Sequence, residues 1–219
     1  MPSARDERLA TLRARAEGLL RAGAGGALAW ARAERVYGLA RHLARQEEAD
    51  RFIVGAAALL YQLPDEEGDA ELGRLEGAAE VALAVRETIV AARGDLAPGA
   101  SLESRVLRDA LALDQLGATG IAGALLDGVV PGEGWHERLD PFALMRGLEP
   151  ARYPLDRIYA RLVELPQQMG TPMARGLAAR RAGIMLFFLE SLRDEFAPAL
   201  PDALLPEGDW LVPREGEAS

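Results

Sequence analysis

Apolar residues recur at intervals of three and four along most of this chain, as in Leu9, Leu12, Ala16 and Leu19, and again in Ala33, Val36, Tyr37, Ala40 and Leu43. That spacing lines one face of a helix, so each stretch reads as an amphipathic helix with a face to bury. No segment sustains the two-residue alternation of β-branched side chains that a half-buried strand needs, while Ala, Leu, Arg and Glu, all strong helix formers, dominate. The expected fold is all-α: one domain over 1–196 with about seven helices, then a Pro-rich tail over 197–219 carrying Pro198, Pro201, Pro206 and Pro213. The helices are divided by turn-forming clusters at Gly23 to Gly26, Pro64 to Asp69, Gly94 to Gly99, Val130 to Gly134, Glu149 to Pro154 and Gly170 to Pro172. The span from Asp127 to Pro154 has little periodicity and much Gly and Pro, and is expected to be a long irregular connection.

Composition narrows the function. With 219 residues, 49% of them hydrophobic, the chain can build a core without staples, and it has no cysteine for thiolate catalysis, a Cys-type zinc site or a disulfide. A formal net charge of −9 argues against partners that present a phosphate backbone or an anionic lipid surface, so neither nucleic acid nor membrane is expected. The longest apolar run, Phe52 to Leu60, is far short of the roughly 20 residues that span a bilayer. The first twenty residues are charged throughout and lack an apolar signal core, which makes the cytoplasm the expected location. All 25 basic residues are Arg, and neither Lys nor Asn occurs.

Generic motifs carry little chemistry. His42 and His136 are too few and too far apart for a three-histidine zinc site; His42 reads as a solvated helix position and His136, beside Trp135, as a loop anchor. Gly23 to Gly26 lacks a preceding strand and reads as an interhelix loop, and Gly117, Gly120 and Gly123 read as small residues that allow close packing.

Four blocks say more when taken together. Arg32, Arg35 and Val36 run into Leu39 and Ala40, with Glu47, Glu48 and Asp50 following; Ala56 to Asp65 contains Leu59, Leu60, Tyr61 and Gln62; Arg108 to Ala122 contains Asp109, Asp114 and Gly117; and Leu162 to Met169, Thr171 and Leu177 through Arg181 to Leu189 close the series. In order and spacing they resemble the HD-domain metal-dependent phosphohydrolases, whose corresponding motifs read His-x-x-Arg-Val, Ala-Ala-Leu-Leu-His-Asp and Asp-Ala-Asp-Arg-Leu-Asp-Ala-Leu-Gly. The resemblance implies a helical bundle around a divalent metal held by the first His, the His-Asp pair and a distant Asp, with a metal-activated water attacking a phosphate ester or anhydride.

At the positions the resemblance assigns to those ligands stand Arg32, Tyr61, Gln62 and Asp109, so only the last is kept. A guanidinium has no lone pair to give and stays protonated, which makes a metal at the family position unexpected. An Arg32–Asp109 ion pair is expected instead, with Tyr61 and Gln62 filling the remaining space. Arg35, Asp65, Asp114 and Arg181 also match the family pattern, and Arg32, Arg35 and Arg181 could together hold a small phosphorylated or otherwise anionic ligand. Three readings stay open: an inactive binding or scaffolding protein with no cofactor, an active phosphohydrolase whose Mg²⁺ or Mn²⁺ has moved to Asp65, Glu66, Asp69, Asp109 and Asp114, and a purely structural protein. The Arg- and Leu-rich helices also suit a homodimer.

Overall fold

The computed structural model describes residues 3–75, 79–94, 99–127 and 133–199, and among these every regular element is helical. The helices are α1 (Ala4–Ala22), α2 (Gly26–Gln46), α3 (Arg51–Leu60), α4 (Asp65–Gly73), α5 (Ala79–Arg93), α6 (Leu102–Asp114), α7 (Gly117–Leu126), α8 (Pro154–Glu164) and α9 (Pro172–Phe196). Short 3₁₀ turns occupy Leu165–Gln168 and Ala197–Ala199. The all-α expectation holds, with nine α-helices among the described residues where about seven were expected.

One unforeseen helix is α4, which occupies most of the stretch expected to be a turn. Pro64 precedes it in an extended conformation, and Asp65, Glu66 and Glu67 fill its first turn, where negative charge complements the helix N-terminus. A break after Asp114 separates α6 from α7, and Gly117 at φ +73° opens α7 in a region that residues with a Cβ rarely enter. Residues 200–219 of the expected tail, and parts of the Gly94 to Gly99 and Val130 to Gly134 clusters, lie outside the described residues. No described helix is long and apolar enough to cross a membrane.

The helices group into two units, one of residues 1–114 and 167–178, the other of 115–166 and 179–219. In the first, α3 is apolar nearly all round and packs against α1, α2, α5 and α6. Its residues Ala56 to Leu60 are all buried, among Leu9 and Leu12 of α1, Val36 and Leu43 of α2, Val85 of α5, and Val106 and Leu107 of α6. Asp50 starts α3 by accepting the N–H groups of Phe52 (2.8 Å) and Ile53 (3.1 Å), and Ser3 and Asp6 form a reciprocal cap on α1.

In the second unit α7 packs on α8. Residues 133–153 contain no helix, as expected, and are held by side chains. The buried Asp156 accepts Arg146 Nη2 at 2.9 Å and the Glu149 N–H at 2.7 Å, and the Arg146 guanidinium lies over the Tyr153 ring. His136 sits between Trp135 and Phe196, with ring centroids 4.9 and 5.0 Å away, and its Nδ1 donates to the Glu137 carbonyl at 2.8 Å. It is a loop anchor, whereas His42 is exposed on α2. The reason for Gly120 is local: a Cβ there would meet the Gln115 carbonyl oxygen at 2.1 Å, so the close approach comes from the preceding turn.

Candidate functional site

The residues at the family's metal-ligand positions all fall in the first unit. Arg32 and Arg35 are one turn apart on α2, Tyr61 ends α3 with Gln62 next to it, and Asp109 and Asp114 lie on α6. Positions three apart share a helix face, so both guanidiniums of α2 are presented together.

They meet at Asp114. Arg35 Nε lies 2.8 Å from Asp114 Oδ1 and its Nη2 3.4 Å from Oδ2, a two-point fork, while Arg32 Nε lies 3.5 Å from Oδ2. The carboxylate is 4% exposed and the Arg32 and Arg35 side chains 38% and 44%, so one buried anion anchors two cations whose outer N–H groups reach solvent. The cluster carries one surplus positive charge.

Asp109 is held otherwise, and the expected Arg32–Asp109 ion pair does not form. Its Oδ1 accepts the Gly170 N–H at 2.8 Å, and its Oδ2 accepts the Thr171 N–H at 2.8 Å and the Thr171 hydroxyl at 2.7 Å. The physical reason is the pitch of α6: five residues further on, Asp114 points about 140° away from Asp109. The face toward α2 therefore belongs to Asp114, and Asp109 meets the turn that opens α9. Burial raises the Asp109 pKa above the ordinary carboxylate value; the Thr171 hydroxyl and the two N–H groups oppose the rise, and the Glu47 charge adds to it. Glu47 itself accepts the Met173 N–H at 2.7 Å, so two carboxylates serve the first turn of α9.

Tyr61 adjoins the guanidinium cluster. Burial pushes its phenol up to about 12, Arg32 and Arg35 pulling down and Asp114 pulling up, so it remains a neutral hydroxyl. That hydroxyl is buried and has no hydrogen-bond partner among the described residues. Gln62 makes a long bond, 3.5 Å, to the Ala29 carbonyl of α2. The turn between them and α4 is fastened by Arg93, whose Nη2 donates to the Tyr61 carbonyl at 2.6 Å and whose Nη1 pairs with Asp65 at 2.7 Å.

Of the other carboxylates that could hold a metal, one is paired among the described residues and one is not. Asp69 pairs with Arg86 at 2.7 Å, and Glu66 is exposed. No three of His, Asp or Glu converge to hold a metal ion among the described residues. Arg181 lies on α9 in the second unit, its Cβ 3.3 Å from where a Gly117 Cβ would stand.

The donor set does not fit the family's metal. Arg32 offers a cation where the cofactor needs an imidazole lone pair, and both oxygens of Asp109 already accept hydrogen bonds. What the arrangement can do is bind an anion: outward guanidinium donors with surplus charge match the oxygens of a phosphate or carboxylate.

No family model matches the chain. It is 31% identical over 183 residues to the uncharacterized protein YpgQ of Bacillus subtilis, spanning 76% of this chain and 83% of YpgQ. The crystal structure of YpgQ in complex with ADP matches with a TM-score of 0.71 at 25% identity, covering 88% of this chain and 97% of that one. A structure described as an HD-superfamily hydrolase, from Bacillus thuringiensis, matches with a TM-score of 0.72 at 25% identity over 89% of this chain and 99% of that one. The chain belongs to the family of YpgQ, within the HD-superfamily hydrolases.

Proposed function

We propose that this protein binds a small phosphorylated ligand without hydrolysing it, with Arg32 and Arg35 taking over the anion-holding role that a metal has in the rest of the superfamily. The observation that carries this reading is the sharing of one buried carboxylate, Asp114, by two half-exposed guanidiniums. Asp114 accepts Nε and Nη2 of Arg35 and pairs with Arg32 through charge, which leaves Nη1 of Arg35 and the Nη groups of Arg32 as donors for phosphate oxygens. The ADP bound to YpgQ supports a nucleoside diphosphate as the ligand class. Hydrolysis in this superfamily depends on a water made acidic by a metal, and a permanently charged guanidinium supplies neither the open coordination position nor the pKa shift. The ligand is held and released unchanged.

The test is calorimetric titration of ADP into protein expressed with Mn, Fe, Mg and Zn available, alongside metal analysis and phosphate release from a nucleotide panel. Saturable binding, weakened about tenfold or more by Arg35→Gln and equally by Arg32→Gln, is expected, with no phosphate release. Phosphate release that a chelator abolishes, together with a stoichiometric metal, would overturn the reading.

A further inference from the structure

A cationic pocket of about 250 Å³ opens in the first unit where the start of α1, the C-terminal part of α2 and the start of α3 come together. Arg5, Arg41 and Arg51, one from each helix, line it with Asp6, Asp50 and Phe52. Arg41 lies about 14 Å along α2 from Arg32 at the helical rise, which separates this pocket from the Arg32 and Arg35 cluster.

Its two carboxylates are occupied. Asp50 spends Oδ1 on the N–H groups of Phe52 and Ile53 and takes Arg5 Nη1 on Oδ2 at 3.0 Å. Asp6 takes the Ser3 hydroxyl at 2.8 Å, and Arg41 reaches it only at 3.9 Å, its Nη1 donating instead to the Tyr37 hydroxyl at 3.0 Å. The Arg51 charge acts on Asp6 across the pocket, and its guanidinium makes no hydrogen bond or close ion pair among the described residues. Three permanent cations line the pocket against two carboxylates, and a third carboxylate, Glu103, lies behind Asp50, accepting its N–H at 3.1 Å. The Arg5 guanidinium carbon lies over the Phe52 ring, 5.7 Å from its centroid.

We propose that this pocket is a second anion site, one that takes a phosphate group, inorganic or at the end of a small ester, between Arg5, Arg41 and Arg51. A tetrahedral dianion offers an oxygen to each of three guanidiniums that arrive from three helices, whereas a carboxylate has two oxygens and one charge. The volume is below the 300–1,000 Å³ or so of pockets that enclose whole drug-sized ligands, so it suits the phosphate group and leaves the remainder of an ester outside. A site on three helix segments that share the core beneath α3 couples the occupant to the packing of α1 on α2 and α3.

The test is titration of the full chain at low ionic strength, following backbone amide resonances, with inorganic phosphate in one arm and glycerol phosphate in the other. Saturable shifts are expected at residues 3–9, 37–42 and 50–53, distinct from any at the Arg32 and Arg35 cluster. Arg51→Gln should weaken binding about tenfold with a nearly unchanged melting curve, since the side chain it replaces touches the fold only through its charge on the exposed Asp6, and Arg35→Gln should leave the binding intact. Saturation by phosphate alone assigns the site to the free ion, and saturation by both extends it to esters. Absence of saturation in both arms, binding unaffected by Arg51→Gln, or binding lost in Arg35→Gln would overturn the proposal. Because the Arg35→Gln control reports on the other cluster, failure here is distinguishable from failure of the ADP-binding reading.

Discussion

Asp109 and Thr171, 62 positions apart, are joined twice, the same Oδ2 accepting both the backbone N–H and the side-chain hydroxyl of the threonine. Both residues are almost fully buried. The carboxylate that would ligate a metal elsewhere in the superfamily here completes the start of α9, a structural duty that takes both lone pairs of Oδ2 and one of Oδ1.

Asp109→Ala is therefore expected to act on stability. Three donors would lose their acceptor, and at 1–3 kcal/mol for each buried one the loss should reach about 3 kcal/mol. Thr171→Val, which removes one donor and keeps the shape, should cost about 1–2 kcal/mol. Urea unfolding measures both. A loss under about 1 kcal/mol for Asp109→Ala would mean that the turn before α9 is not held by this carboxylate.

Tyr61→Phe separates folding from binding. Removing a buried hydroxyl that has no partner takes away a desolvation cost, so stability should be unchanged or raised by about 1 kcal/mol. If the hydroxyl serves a ligand held by Arg32 and Arg35, ADP affinity should fall several-fold in the same variant. Loss of stability together with unchanged affinity would show that the hydroxyl serves the fold.

Glu71 sets an acid limit. The Arg15 side-chain hydrogen bond holds its carboxyl below the ordinary value; burial opposes this, and the charges of Arg15 and Arg74 add to it. A carboxyl depressed in the folded state contributes stability that is fully present above its unfolded pKa, near 4.5, and is lost as pH falls through its lower folded value. Glu71→Gln should therefore be less stable than the parent at pH 7 by about 1–2 kcal/mol, with Arg15 and Arg74 both half-exposed and screened. The difference should narrow as the pH is lowered beneath 4.5. A gap that stayed constant down to pH 3 would refute the assignment.

The helices were legible because three- and four-residue spacing reports directly on which face is buried, and Val36, Ala40 and Leu43 are all in the core. The family was legible because motif order survives where the ligands themselves do not. The charge pairing was not. The logic that a cation replaces a metal pairs Arg32 with Asp109, but two carboxylates on one helix point to different sides, and spacing from 109 to 114 decides which meets α2. That spacing was available in the sequence. The partners of Asp109 were harder to find, since two of its three donors are backbone N–H groups that every residue but proline possesses. Helix α4 is hard to read because a proline followed by acidic residues fits a turn and a helix start equally.

The Arg32 and Arg35 pair has one more consequence. A metal centre can be starved, stripped by a chelator or loaded with the wrong ion, and the histidines that hold it lose their grip in acid. A guanidinium is encoded in the chain, keeps its proton at any pH a cell attains and is never exchanged. The charge of this cluster is set at translation and is indifferent to the metal economy of the cell.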